Sequence, residues 1–200
     1  MRLAAARRLL PVFLLLPATA CAQPPDPAAT PSAPAANARA ATPAARSDTS
    51  AVAWHPSLEA AIAAASVSGK KVLVDIYAPW CPWCRRLQKE VYPAPAVLAL
   101  VERYFEPVRL NGEIRDDSVR YLTHRLSSAE LAQGLGAQGY PTTAFLGPDG
   151  AYLTRLPGFA EAGEFERVLR YIGTDAYKTQ AYDAFKAADT AAPASAGSGG

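Results

Sequence analysis

The residues of this chain best suited to chemistry are Cys81 and Cys84, three positions apart in Trp80-Cys81-Pro82-Trp83-Cys84. An apolar run, Val72 to Ala78, leads into them, and Arg85-Arg86-Leu87-Gln88-Lys89-Glu90 follows. Two thiols entered from a strand and followed by a helix point to thiol-disulfide exchange. Pro82 suits the first helical position, where its missing N–H costs nothing, so Cys81 stands at the helix N-terminus. The unpaired N–H groups of the first turn then face the Cys81 sulfur and favour thiolate over thiol. On this reading Cys81 is the attacking nucleophile. Cys84, one turn on and on the same face, is the resolving thiol that displaces a reduced partner from the mixed disulfide. Cysteines in such pairs have pKa values lowered to about 3.5–7.5 from about 8.5.

Other uses of two cysteines fit less well. A structural bridge across three residues staples little chain, and loop-closure stabilisation grows with loop length. Zinc needs two further ligands, and the two histidines, His55 and His124, are far apart in sequence, so no metal site is expected. Covalent haem attachment needs a histidine where Arg85 stands. The formal charge of +2 includes Arg2, Arg7 and Arg8; without them the chain is near −1, with no electrostatic footprint for nucleic acid.

The pair has to be positioned by the elements around it. Lys71 to Ala78 reads as a central strand, because near-continuous apolar runs belong to strands covered on both faces. Asp75 interrupts that run. Burial there raises a carboxyl pKa toward the range useful for proton transfer. A first strand is expected at Val52-Ala53-Trp54 and a helix over Pro56 to Val67, with Leu58, Ala61, Ile62 and Ala65 at helical spacing. The helix after Cys84 runs to about Val91 and is interrupted by Pro93 and Pro95. Pro95 opens a second helix to about Tyr104, and Phe105 to Leu110 is a strand. Between 111 and 126 two patterns compete: Val119, Leu122 and Leu126 fit a helix, whereas Val119, Tyr121 and Thr123 fit a strand.

Ser127-Ser128-Ala129-Glu130 matches a capping box for a helix from Ala129 to Leu135. A strand, Tyr140 to Leu146, turns at Pro148-Asp149-Gly150 into another, Ala151 to Leu156. Helices are expected at Glu161 to Ile172 and at about Asp175 to Lys186, the last with Tyr177, Ala181 and Phe185 at four-residue steps. The order of elements gives an α/β layout with a mixed sheet.

The ends are read as appendages. Residues 1–20 have the basic start and short apolar run of a secretory signal, too short to span a bilayer. The boundary before Cys21 resembles a bacterial lipoprotein signal, which would make the odd cysteine a lipid-bearing residue; ordinary secretory cleavage after Ala20 or Ala22 also fits. Residues 21–51 are expected to be a disordered linker, because 22–50 hold six prolines, eleven alanines and no aromatic residue. The domain is placed at 52–187, and 188–200 is a small-residue tail.

The run Val72-Leu73-Val74-Asp75-Ile76-Tyr77-Ala78-Pro79-Trp80-Cys81-Pro82-Trp83-Cys84, with Gly139-Tyr140-Pro141-Thr142 and Pro157-Gly158 after it, resembles the thioredoxin family. It is similar above all to exported bacterial members, over roughly Val52 to Ile172. The resemblance implies a thioredoxin fold: a mixed central β-sheet flanked by helices, here with an extra C-terminal helix. It implies a cis Pro141 against the cysteine pair, and a substrate groove of Trp80, Pro82, Trp83, Tyr140, Pro141 and Thr142 that holds a client chain as an added strand. It implies that Asp75, buried behind Cys84, relays its proton, with its basic partner near Arg109. The implied partners are client proteins with cysteines or disulfides and an upstream membrane electron donor or acceptor. The membrane itself joins them through a lipid on Cys21, and Ala22 favours the outer membrane over the inner. The expected setting is the periplasmic side of a bacterial envelope, as a monomer without a cofactor.

Pro82-Trp83 replaces the family's commonest Gly-Pro, so a potential cannot be carried over. Asp75 favours a reductant, with an oxidase or isomerase, or a non-catalytic peptide-binding lipoprotein, as alternatives. Asn111 to Gln138 is longer than in a minimal member and is expected to border the groove.

Overall fold

Seven residues, Lys71–Tyr77, form β1, and all but Tyr77 are buried. The computed structural model describes residues 51–191. The expectations for the leader, the linker up to residue 50, Cys21 and the chain from 192 lie outside the described residues. β1 pairs in parallel with β2, Phe105–Asn111, and antiparallel with β5, Thr142–Leu146, which pairs with β6, Tyr152–Pro157, to give the sheet order β2-β1-β5-β6. This is the mixed sheet that the resemblance implies.

Strand alternation sorts β1 onto two cores. Val72, Val74 and Ile76 pack with Leu58, Ala61 and Ala65 of α1, Leu58–Ser68, and with Leu131 and Leu135. Leu73 packs on the other face with Leu87, Val91, Tyr92, Phe145 and Phe165. Asp75 shares the face of Leu73, so it points toward the chain that follows the cysteines. That chain is α2, Pro82–Arg86, continued by one π-helical turn, Leu87–Val91. After the Pro93 and Pro95 break, α3, Pro95–Tyr104, packs beside α5, Ala162–Gly173.

Two expectations are revised and one open stretch is decided. Val52 to Trp54 is not a strand: a single parallel bridge, His55 to Val108, touches β2, with the His55 N–H on the Pro107 carbonyl at 2.8 Å. Pro107 presents that carbonyl outward, and its missing N–H lies on the same edge, so a ladder there lacks a donor. The 111–126 stretch resolves toward a hairpin of β3, Val119–Tyr121, and β4, His124–Leu126, with Leu122 at φ 52° in the turn. The final helix also starts later than expected. Asp175 adopts φ 62° and pairs with Lys71 at 3.1 Å, which stops helical continuation after α5; a 3-10 turn at Ala176–Lys178 follows. α6, Tyr182–Ala191, then runs past the 187 boundary expected for the domain. It is held to α5 by Asp189 on Arg167 and Arg170 and by the Tyr182 hydroxyl donating to Glu164. The capping box forms as expected at the start of α4, Ser128–Gly134.

Candidate active site

Cys81 caps α2 with Pro82 as the first helical residue, and a disulfide joins it to Cys84 across a Cα separation of 5.3 Å. The Cys84 N–H donates to Sγ of Cys81 at 3.0 Å, the contact anticipated from the helix start. Both cysteines are almost fully buried, against Ala78, Tyr77 and Tyr140. Their flanking tryptophans are not: Trp80 is 64% and Trp83 51% exposed, which puts two large apolar surfaces in solvent beside the disulfide.

The Tyr140-Pro141 peptide bond is cis, and Pro141 and Thr142 are buried at the start of β5. The Thr142 hydroxyl donates to the Gly139 carbonyl at 2.8 Å, and the Gly158 N–H donates to the Pro141 carbonyl at 2.9 Å, fixing both sides of this turn. Tyr140 meets Trp80 edge-on with centroids 5.9 Å apart. Burial first, and the Glu113 carboxylate second, push the Tyr140 phenol up to about 12, so it stays a neutral contact surface. A side chain at Gly112 would place a Cβ 2.6 Å from the Tyr140 oxygen; this glycine leaves the ring its place. It is here, at Asn111-Gly112-Glu113, that the long 111–138 segment meets the predicted groove residues.

Asp75 is 1% exposed, in the middle of β1. Its Oδ2 accepts from Arg109 Nε and from Gln88 Nε2, each at 2.9 Å, whereas Oδ1 has no partner. Desolvation raises its pKa, against the opposing pull of Arg109 and Gln88. The Arg109 guanidinium lies over the Tyr77 ring at 4.0 Å. Tyr92, also buried, has a hydroxyl without a partner, and burial and the Asp75 charge raise its pKa well above the ordinary phenol value.

Cys81, Cys84 and the Pro141 turn lie together, with Asp75 and Arg109 paired on the neighbouring strands, and three residues packed beside them were not singled out in the sequence. Gln88 was findable: four residues after Cys84, it lies on the same helix face and reaches Asp75. Phe159 follows the Pro157-Gly158 motif and meets Trp83 at 5.3 Å, with Arg86 over both rings at 4.8 and 5.6 Å. Nothing local marked Phe159. Tyr92 lies just past the helix end expected at about Val91, and the π-helical turn, closed by its N–H on the Leu87 carbonyl, carries it into the core.

Residues 58–173 match the family model for a thioredoxin-like domain. The chain is 34% identical over 110 residues to the thiol:disulfide interchange protein DsbD 2 of Pseudomonas aeruginosa, covering 54% of this chain and 17% of that one. It is 32% identical over 99 residues to the DsbD protein of Actinobacillus pleuropneumoniae, covering 48% of this chain and 15% of that one. It therefore spans less than a fifth of the length of either relative. Among solved structures, a thioredoxin-fold protein from Helicobacter pylori superposes with a TM-score of 0.52 at 22% identity, over 62% of this chain and 86% of that one.

Proposed function

This chain belongs to the thioredoxin-like family, and from that premise we propose that it is a thiol-disulfide oxidoreductase on the periplasmic side of a bacterial envelope. The observation that carries the reading is the Cys81–Cys84 disulfide at the start of α2, with the Cys84 N–H on the Cys81 sulfur. As a reductant, the dithiol form works in two steps. The Cys81 thiolate attacks one sulfur of a client disulfide, which releases the other client sulfur as thiolate and leaves a Cys81-client mixed disulfide. Cys84 loses its proton, attacks Sγ of Cys81 and releases the second client sulfur; the client gains two electrons and the pair returns to the disulfide. Asp75 is the buried base that accepts the Cys84 proton, and Trp80, Trp83, Tyr140 and Pro141 form the surface against which the client lies.

The buried Asp75 favours the reducing direction. Equilibration with glutathione buffers is expected to give a potential below about −180 mV; a value at or above it ends the reductant reading. The activity itself is tested by Cys84→Ala. That variant keeps the attacking thiol and lacks the resolving one, so it is expected to hold envelope clients as mixed disulfides on Cys81, resolved by reducing and non-reducing electrophoresis. If none forms, the fold serves only to bind peptides.

A further inference from the structure

Beside the disulfide lies a cleft of about 370 Å³ walled by Tyr77, Cys84, Arg85, Gln88, Lys89 and Arg109. Trp80, Trp83, Tyr140 and Pro141 do not line it, so it is a second concave surface next to the pair. Its charge is one-sided. Arg85 donates to the Pro79 carbonyl at 3.2 Å, and among the described residues neither Arg85 nor Lys89 pairs with a carboxylate. The acids nearby are engaged elsewhere: Glu90 and Glu161 pair with Arg86 at 2.6 and 3.2 Å, and buried Asp75 pairs with Arg109. Arg109 spends only Nε on Asp75, and its side chain is 32% exposed. Three cations around one concavity focus a positive field there.

We propose that this cleft receives a carboxylate side chain of the protein that exchanges with the pair, an Asp or Glu within about three residues of that protein's reacting cysteine. The proposal rests on the oxidoreductase reading and adds to it the charge of the partner. Reach argues for the position. Cys84 walls the cleft, and its Cα lies 5.3 Å from that of Cys81, on which the partner's cysteine is held in the mixed disulfide. An extended chain advances about 3.3 Å per residue, so an acid close to the partner's cysteine spans this gap. Charge argues for the occupant. A lysine there would meet three like charges, whereas a carboxylate gains from Arg85 and Lys89 the pairing that no acid among the described residues gives them, and arginine's planar fork takes a carboxylate with two parallel N–H donors. Charges at the rim of a contact act mainly on the rate of encounter and on the choice of partner. The cleft therefore selects partners by charge, and the exchange itself stays on Cys81.

The test is the second-order rate at which the reduced full chain reduces single-cysteine peptides of about ten residues, each carried as a mixed disulfide with 2-mercaptoethanol. The peptides differ only at the residue two positions from the cysteine, which is glutamate, glutamine or lysine; a fourth carries its glutamate at the far end. Each rate is divided by that with dithiothreitol, which cancels the effect of the added charge on the peptide's own disulfide. At low salt the near glutamate is expected to outrun lysine by about tenfold or more, and the ratio to fall to about twofold in an Arg85→Gln, Lys89→Gln double variant or at high salt. Arg103→Gln, on α3 and outside the cleft, controls for net charge and should keep the parent ratio. The far glutamate is expected to gain no more than about twofold over glutamine. Equal rates for the near glutamate and lysine peptides, a ratio unmoved in the double variant, or a far glutamate as effective as the near one overturns the proposal. Each of these leaves the oxidoreductase reading standing, because the peptides are still reduced; a chain that reduces none of them, and whose Cys84→Ala variant traps no client, removes both.

Discussion

Cys81→Ser is expected to bring disulfide exchange with a protein client down to the uncatalysed rate, whereas Cys84→Ala keeps the first attack and loses turnover. The asymmetry follows from where the two sulfurs sit. Cys81 is the cap of α2 and receives the Cys84 N–H at 3.0 Å, a donor that belongs to the backbone and survives in the Cys84→Ala variant. Serine in place of Cys81 keeps the hydrogen bond and removes the nucleophile, since its hydroxyl does not ionise near neutrality. The two variants therefore separate attack from resolution. The remaining thiol of Cys84→Ala gives a second measure. Pairs of this kind lower the attacking thiol to about 7.5 or below, so its thiolate fraction at pH 6 is expected to exceed that of a free cysteine by at least about tenfold. Alkylation by iodoacetamide as a function of pH reads this directly. A profile matching that of a free cysteine peptide would mean that the α2 start does not activate Cys81, and retained turnover in Cys81→Ser would remove the pair from the chemistry.

What was legible in the sequence was local. The β1 run, Pro82 at the helix start and the Ser127–Glu130 capping box each depend on neighbours within four residues, and each formed as expected. The Pro141 turn was legible through resemblance, and its cis bond matches. What failed or stayed open depended on contacts far along the chain. Val52 to Trp54 has strand-forming residues, but the edge next to it, which His55 touches in a single bridge, carries Pro107. The stretch from Val119 to Leu126 carries both periodicities; the hairpin won because it packs Val119, Tyr121 and Leu126 against the α1 and α4 core, with the Tyr121 hydroxyl donating to the Gly150 carbonyl. Tyr177 lies in a 3-10 turn and outside the last helix because Asp175, paired with Lys71, has already left the helical region. In the site the same division holds. The acid was conspicuous as a polar residue in an apolar run, while Gln88 and Tyr92, which sit beside it, gain their meaning from the turn that folds them onto β1.

Asp75→Asn is expected to slow resolution of the mixed disulfide and to stabilise the fold at neutral pH, two effects with one cause. Asparagine is nearly isosteric and its oxygen accepts both N–H donors that Oδ2 accepts, from Gln88 and Arg109. Because both donors converge on Oδ2, the proton of neutral Asp75 resides on Oδ1, the oxygen without a partner. Asparagine places an amide there, which holds no exchangeable acid proton. Losing a proton acceptor for Cys84 is expected to cost of order 10²-fold in the resolving rate, the low end for acid-base assistance. The sign of the stability effect follows from burial. Desolvation raises the Asp75 pKa in the folded chain. As pH rises past the ordinary carboxylate value, the unfolded chain releases this proton first and the folded chain still binds it, so stability falls until the folded pKa is passed. Each unit of displacement is worth about 1.4 kcal/mol, a few degrees in Tm for a domain of this size. The difference in Tm between Asp75→Asn and the parent is therefore expected to grow from pH 4 upward and then level off. Calorimetry across pH 4–8 measures it, and parallel Tm curves would mean that Asp75 ionises as freely inside the fold as outside it. Stopped-flow resolution of a preformed Cys81 adduct supplies the kinetic half. A variant that gains stability at neutral pH yet resolves at the parent rate would leave Asp75 a buried charge held by Arg109 and Gln88, with the Cys84 proton going to another acceptor.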